Sequence, residues 1–190
     1  MIGVCLAAGD ATRMPNKLML HTPAKLPLVM DSIKYLYRFT KEIVVVVKPD
    51  GAVHRYLHGS ARRLRFVFQE RATGVVKAIS AVEAECILVA FGDCYGYQNL
   101  AFCKENHATV MYGLIPGLDG WDGNGWVDRT SLPPRPFSGA FHSTRWEPAD
   151  TLMNTFNHCE IMPQITNGVK DCGTPEGYAK LWSSSLRNMV

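Results

Sequence analysis

The sequence lacks the features that would place a protein in a membrane, in an oxidising compartment or on a nucleic acid. No apolar run approaches the roughly 20 residues needed to cross a bilayer, and no basic segment of the kind that begins a secretion signal precedes the first apolar run. The six cysteines form no C-x-x-C pair and show no zinc spacing. The net charge is only +3, from 20 basic and 17 acidic residues, far from that of a nucleic-acid binder. We therefore expect a cytoplasmic protein with reduced thiols and with neither a membrane nor a nucleic acid as partner.

The first half of the chain alternates short apolar runs with segments of helical spacing. Predicted strands cover 2–8, 42–47, 64–68 and 86–91, and predicted helices cover 28–39, 52–57 and 73–82. In the helix over 28–39, Asp31 is expected on the side away from the apolar residues. This rhythm predicts βαβ units, hence an α/β fold with a mixed, mostly parallel sheet and helices on both faces.

The second half is expected to add a small β-rich region to the same domain. A strand is predicted over 108–115, a hairpin or broad loop over 117–128, and short strands over 127–132 and 137–142. A helix near Glu147 and a C-terminal helix over 176–189 complete the chain. With 190 residues and a hydrophobic fraction of 47%, a single domain over 1–190 is expected.

The first predicted strand ends in a loop of small residues that carries two cations. Gly9 interrupts the apolar run, and Arg13 and Lys17 follow within a few positions. The backbone N–H groups of such a loop can face an anion while the cations neutralise it, so the loop is a candidate phosphate cradle. Physical chemistry alone explains the loop equally well as an ordinary first turn of an α/β sheet.

The same loop resembles the opening signature of the nucleotidyltransferase superfamily, which reads L-A-A-G-x-G-T-R-M/L and then P-K. The matching residues are Leu6, Ala7, Ala8, Gly9, Thr12, Arg13 and Met14, followed by Lys17. Ala11 stands where the family has a second Gly, and Asn16 stands before the Lys in place of Pro. The resemblance implies that the whole loop from Leu6 to Thr12, Asp10 and Ala11 included, binds the nucleotide. It also implies that Arg13 and Lys17 are catalytic.

A second motif follows the third predicted strand. Gln69 and Gly74 reproduce the family's spacing of Gln, four residues and Gly, which contacts the base. Ligands bind at this edge of open α/β sheets, an amide can read a base edge, and a glycine lets a ring approach the backbone. The resemblance implies that Gln69, Thr73 and Gly74 bind the nucleotide; a polar cap on the strand end is the alternative for Gln69.

Two acidic residues complete the resemblance. Asp93 follows Gly92 as in the family's "G-D", and Asp171 opens a segment similar to the family's "D-x-G-T-P-E-x-Y" box. The resemblance implies that both carboxylates hold Mg²⁺, which prefers few carboxylates together with phosphate oxygens. Helix capping explains Thr174 without any ligand, but it does not explain Asp171.

The acceptor end carries the weakest resemblance. Phe137 to Phe141 is similar to the family's sugar-facing "N-A-G-I-F" strand, although Ser138 replaces the Asn, and the resemblance implies that Ser138 and Gly139 bind the acceptor. The Glu-Lys-Pro segment that precedes this strand in the family has no counterpart.

Together the motifs imply a three-layer, Rossmann-like (GT-A-like) nucleotidyltransferase. Residues 1–97 would form its nucleotide-binding half and residues 98–190 its acceptor and lid half. Such an enzyme joins a nucleoside triphosphate to a sugar 1-phosphate in a Mg²⁺-dependent reaction that releases pyrophosphate. Three alternatives stay open: an acceptor of the phosphocholine, polyol phosphate or molybdenum cofactor type, a metal-dependent glycosyltransferase, and a nucleotide-binding protein without catalysis. The base, the acceptor and the oligomeric state do not follow from the sequence.

Overall fold

The strands of the computed structural model join both halves of the chain in one sheet. The structure describes residues 1–9, 12–59, 63–71, 74–100, 109–114, 138–146, 161–164 and 169–187. Its strands are β1 (Ile2–Leu6), β2 (Ile43–Val47), β3 (Leu64–Phe68), β4 (Ile87–Phe91), β5 (Cys94–Tyr95), β6 (Thr109–Leu114), β7 (Ser138–Ser143), β8 (Ile161–Gln164) and β9 (Lys170–Asp171). Within those ranges seven strands form one sheet in the order β3-β2-β1-β4-β7-β6-β8.

The sheet is mixed and mostly parallel, as the sequence predicts. Strands β3, β2, β1 and β4 run parallel to one another, and β6 and β8 are also a parallel pair. Strand β7 lies antiparallel between β4 and β6. The carboxyl ends of the four N-terminal strands therefore lie at one edge, where loops from distant parts of the chain meet.

Helices cover both faces of this sheet. They are α1 (Val29–Phe39), α2 (Ala52–His58), α3 (Val75–Ser80) and α4 (Pro175–Arg187). Alternate residues of β2 face opposite layers: Val45 packs in a core with α1 and α2, whereas Val44 packs in a second core with α3. All five residues of β2 are buried, which explains why its sequence is a continuous β-branched run and does not alternate. The predicted α/β class and its three-layer arrangement are confirmed.

Most predicted elements agree with the structure to within two residues at each end, and β3 agrees at both ends. Helix α3 is shorter than predicted: it begins at Val75, because Gly74 precedes it with a φ of 93° that is not helical. The predicted strands over 108–115 and 137–142 correspond to β6 and β7. The predicted loop over 117–128, the strand over 127–132 and the helix near Glu147 lie outside the described residues.

Two features differ from the sequence analysis. The short strands β5 and β9 form a separate two-stranded ribbon that was not predicted, nor was β8. The prediction for Asp31 was wrong: its Oδ2 faces inward and accepts hydrogen bonds from the backbone N–H groups of Gly96 (2.8 Å) and Tyr97 (3.0 Å). Among the described helices, none combines the length and the apolar character that a bilayer crossing requires.

Candidate functional site

An open cleft lies at the carboxyl edge of the sheet, between the β1 loop and the start of α3, with about 640 Å³ of empty space. Seven of the residues predicted from the sequence line it: Leu6, Ala8, Gly9, Lys17, Gln69, Gly74 and Asp93. They come from three separate motifs, and the parallel order of β1 to β4 is what places them side by side. Apolar residues of α3 and the sheet, such as Val75 and Val46, form the remaining wall.

An ion pair between Lys17 and Asp93 forms part of the cleft wall. The Lys17 Nζ lies 2.5 Å from the Asp93 Oδ2, although the two residues are 76 positions apart in the chain. Lys17 begins a 3₁₀ turn, which follows Asn16 in the left-handed region (φ 55°). The side chains are 14% and 27% exposed, so the pair is shielded from solvent more than a surface pair is. The loop cation and the strand-end carboxylate therefore belong to one site.

Asp171 reaches the same place through the β5–β9 ribbon. Asp171 pairs with Cys94 in that ribbon, and the Cys172 N–H donates to the Asp93 backbone oxygen at 2.9 Å. The Asp171 Oδ1 accepts a hydrogen bond of 2.6 Å from the Gly173 N–H. The ribbon thus ties the segment that carries Asp171 to the residue after β4.

Gly173 marks the point where these groups converge. A Cβ added to Gly173 would lie 2.9 Å from the Asp171 Oδ1 and 3.3 Å from the Asp93 Oδ2. It would also lie 3.5 Å from the Lys17 Nζ. Two carboxylates and one ammonium group therefore surround a single position that only a glycine leaves open.

The donor set at this point fits a magnesium ion. Two carboxylate oxygens leave most positions of an octahedral ion to water and substrate phosphates, which is the arrangement that Mg²⁺ favours. Within the described ranges, no group of three or more His, Cys, Asp or Glu side chains could hold a metal. The site is therefore poor in ligands for zinc, which in structural sites takes four protein ligands.

Three buried cysteines surround the carboxylates without adding charge. Burial, and then the charge of Asp93, raises the pKa of the Cys5 thiol to about 12. Burial also raises the pKa of Cys172 to about 12, with Asp171 and Asp93 contributing next. The pKa of Cys94 is raised well above its ordinary value for the same reasons. The thiols thus stay neutral and behave as small apolar side chains.

A set of buried contacts made by Asp31 and Tyr97, here called the frame behind the site, was not predicted from the sequence. The Tyr97 hydroxyl lies 2.8 Å from the Phe91 backbone oxygen and 2.6 Å from that of Gly139, and so connects β4 to β7. Asp31 holds the turn before Tyr97, and burial raises the pKa of this carboxyl. No local pattern in the sequence identifies these residues, because the Gly139 partner of Tyr97 lies 42 positions away and the partners of Asp31 lie 65 and 66 positions away.

The acceptor motif lies at the start of β7. Gly139 has a φ of 142°, a conformation that disfavours other residues, and Ala140 pairs with Ala90 of β4. Gly139 therefore lies beside the carboxyl end of β4. That strand ends at Phe91, two residues before Asp93. Ser138 begins the strand, and the structure describes its backbone only.

The remaining predicted residues have different positions. Thr12 and Arg13 are exposed and are not among the described residues that line the cleft. Ala7 lines a neighbouring cleft on the other side of the loop. Asp10, Ala11 and Thr73 lie outside the described residues, so their predicted roles remain predictions.

The helix-capping interpretation of the last motif is confirmed. The Gly177 N–H donates to the Thr174 Oγ1 at 3.1 Å, which is the bond expected of an N-cap residue, and Pro175 follows in the first position of α4. The segment therefore has two local functions: it caps α4 and it presents Asp171 and Gly173 at the cleft.

Solved structures of nucleotidyltransferases share this fold. A provisionally assigned glucose-1-phosphate thymidylyltransferase from Bacillus anthracis has a TM-score of 0.67 at 14% identity, over 97% of this chain and 95% of that chain. HddC from Yersinia pseudotuberculosis, in complex with GMP-PN, has a TM-score of 0.65 at 16% identity, over 97% and 99%. The inositol-1-phosphate CTP transferase from T. maritima has a TM-score of 0.65 at 13% identity, over 96% and 94%. No protein-family model and no curated protein matches the chain. The fold implied by the sequence resemblance is confirmed.

Proposed function

We propose that this chain is a Mg²⁺-dependent nucleotidyltransferase that joins a nucleoside triphosphate to a sugar 1-phosphate, or a similar phosphate monoester, and releases pyrophosphate. The observation that carries the proposal is the convergence around Gly173: the Lys17 ammonium and the carboxylates of Asp93 and Asp171 all lie within 3.5 Å of one point. Three of the four principal sequence motifs contribute to that convergence. The remaining one, with Gln69 and Gly74, lines the same cleft.

The solved structures with this fold support the same class of reaction. Two of their names describe a thymidylyltransferase that acts on glucose 1-phosphate and a CTP transferase that acts on inositol 1-phosphate. Both names combine a nucleotide with a phosphorylated sugar or polyol. The proposed partners of this chain are therefore a nucleoside triphosphate and a phosphorylated small molecule.

The reaction needs positioning and charge neutralisation more than covalent chemistry by the protein. An oxygen of the acceptor phosphate attacks the α-phosphorus, and the bond from that phosphorus to the bridging oxygen breaks, so that its electron pair leaves on pyrophosphate. The acceptor phosphate is already ionised, so no side chain has to act as a base. When bound, Mg²⁺ would neutralise phosphate charge.

Each motif then has a defined role. Gln69 and Gly74 bind the base in the cleft, where Gly74 exposes backbone and α3 supplies an apolar wall. Lys17 binds the α-phosphate and the incoming phosphate, and Arg13 folds onto the triphosphate from its exposed position. Asp93 and Asp171 hold the metal.

The acceptor would enter from the β7 side. Ser138 and Gly139 start that strand and would contact the acceptor, since β7 lies directly beside β4. We also propose that residues 1–97 and 98–190 are the nucleotide and acceptor halves of a single cytoplasmic domain.

A pyrophosphate-release screen tests the proposal. Each nucleoside triphosphate is combined with sugar 1-phosphates, polyol phosphates and phosphocholine, with and without Mg²⁺. We expect one productive pair that depends on the metal. Triphosphate binding without turnover on any acceptor would identify a non-catalytic binder. If a nucleotide sugar supplied in place of the triphosphate is consumed without release of pyrophosphate, the protein is a glycosyltransferase. No triphosphate binding at all would reject the site.

A pair of variants assigns the metal role. Asp171→Asn removes one carboxylate charge but keeps the size of the side chain, and we expect turnover with Mg²⁺ to fall about 100-fold. Asp50→Asn is the matched control, because Asp50 is exposed in a left-handed turn (φ 52°) that Asn also tolerates. Turnover of Asp171→Asn near that of the control would remove Asp171 from the metal site.

A further inference from the structure

A second cleft adjoins the first across the β1 loop. It lies between the 3₁₀ turn at Lys17 and the segment from β2 to α2, and it has about 800 Å³ of empty space. Gly9, Lys17 and Leu18 line both clefts. A ligand that passes over Gly9 and Lys17 can therefore occupy both clefts at once.

The lining of the second cleft is basic. Lys48 and His54 contribute to it together with the amide of Asn16, and no Asp or Glu is among its described lining residues. Lys17 also lines it, but the Lys17 ammonium is paired with Asp93. The first cleft instead has Asp93 in its wall beside Lys17. The two clefts thus differ in charge, and an anion is favoured in the second.

The His54 ring is held in place by aromatic neighbours. Its centroid lies 4.9 Å from those of Phe66 and Phe68, and both rings meet it nearly edge-on, at 80° and 88°. His58 stacks on it at 5.2 Å. These contacts fix the orientation of an imidazole that lines the cleft, and an imidazole can donate a ring N–H in either protonation state.

The backbone of Lys48 is held in place by the strand before it and the turn after it. It directly follows the buried strand β2, and the Gly51 N–H donates to its backbone oxygen at 3.2 Å in the turn before α2. Its backbone is therefore held at the carboxyl edge of the sheet, one strand away from the loop that carries Lys17.

We propose that the second cleft binds the β- and γ-phosphates of the nucleoside triphosphate, and then the pyrophosphate that leaves. This inference rests on the proposed function and adds two ligand-binding residues to it, Lys48 and His54. When the bond between the α-phosphorus and its bridging oxygen breaks, the electron pair moves onto the pyrophosphate. The cationic lining would stabilise that charge away from the carboxylates of Asp93 and Asp171.

The proposal is tested by measuring the binding of three ligands under conditions in which no turnover takes place. Lys48→Met keeps an unbranched stem but removes the charge, and calorimetry measures its affinity for pyrophosphate, for the nucleoside triphosphate and for the matching monophosphate. We expect the affinity for pyrophosphate and for the triphosphate to fall about tenfold, which is typical for the loss of one charged hydrogen bond. The affinity for the monophosphate should stay unchanged, since that ligand does not reach the second cleft.

Two further variants separate charge from structure. Lys48→Arg should restore most of the lost affinity, because a guanidinium also binds phosphate. Lys41→Met is the control, since Lys41 is exposed and absent from the described lining of both clefts. Thermal unfolding of all three variants tests whether they are equally folded.

The outcomes distinguish this inference from the proposed function. An equal loss for monophosphate and triphosphate would place Lys48 at the nucleoside end and overturn the inference. Unchanged affinity of Lys48→Met for pyrophosphate and triphosphate would also overturn the inference. The proposed function would remain intact in that case, provided that the wild-type protein binds the triphosphate. Wild-type protein that binds neither triphosphate nor pyrophosphate would overturn both.

Discussion

Replacing Gly173 by alanine perturbs the candidate metal site at its centre without replacing any charged side chain. The added Cβ would lie 2.9 Å from the Asp171 Oδ1, whereas ordinary contact begins near 3.4 Å. The carboxylate oxygen must therefore move by about 0.5 Å, which disturbs the 2.6 Å hydrogen bond that it accepts from the Gly173 N–H. The contact to the Asp93 Oδ2, at 3.3 Å, requires a much smaller movement, and the Lys17 Nζ, at 3.5 Å, already lies at an ordinary contact distance.

The expected result is a loss of activity with little loss of stability. A misplacement of 1 Å in a catalytic site can cost about 100-fold in rate, so a shift of half that size should lower kcat/KM by about tenfold. The concentration of Mg²⁺ that gives half-maximal activity should rise, since one of the two carboxylates is displaced. Asp171 is exposed, and a Gly to Ala change also reduces the entropy of the unfolded chain, so the free energy of unfolding should change by less than about 1 kcal/mol.

Steady-state kinetics over a Mg²⁺ titration, together with urea unfolding, measures both effects. Gly59→Ala is the matched control, because Gly59 has a φ of −93° and a Cβ there would meet nothing within 4 Å. If Gly173→Ala keeps the kcat/KM and the Mg²⁺ dependence of the control, the convergence around Gly173 has no part in catalysis and the reasoning is refuted.

Two predictions concern the frame behind the site. Tyr97→Phe removes the donor that contacts the carbonyl oxygens of Phe91 and Gly139, and we expect the free energy of unfolding to fall by about 1–3 kcal/mol in urea; Tyr56→Phe, on an exposed side chain, should change it by less than about 0.5 kcal/mol. For Asp31, burial raises the pKa above its ordinary 3.8, so the folded state holds this proton to higher pH than the unfolded state, and this group's contribution to stability falls as the pH rises through that window. Relative to wild type, Asp31→Asn should therefore gain free energy of unfolding as the pH rises from about 3.8, and a difference that stays constant with pH would contradict the assignment.

The capped last helix and the cleft residues illustrate how far local patterns reach. Thr174 and Pro175 specify the start of α4 through bonds within four residues, so their pattern can be read directly from the sequence. Gln69 and Gly74 are also located by a local rule, since both follow a strand, β3, whose bounds were predicted from the sequence. The cleft was predictable to that extent because parallel strands end at one edge.

The ribbon of β5 and β9 shows where local patterns end. Each strand has only two residues, Cys94–Tyr95 and Lys170–Asp171, and so carries no periodicity that a sequence rule could detect. That ribbon nevertheless decides how close Asp171 comes to Asp93. The resemblance to a family implied that both are ligands, but not that Gly173 separates them.

The sequence by itself determined the class of fold, the strands β1 to β4, the cap of α4 and the positions of the polar residues that follow each strand. These depend on periodicity, turn residues and capping, which act between neighbours in the chain. Only the tertiary structure decided that Lys17 pairs with Asp93, that Asp31 turns inward to hold the backbone before Tyr97, and that a second, basic cleft adjoins the first. The first two contacts join residues 66 to 76 positions apart, and all three features arise because packing, and not local propensity, brings distant segments into the same volume.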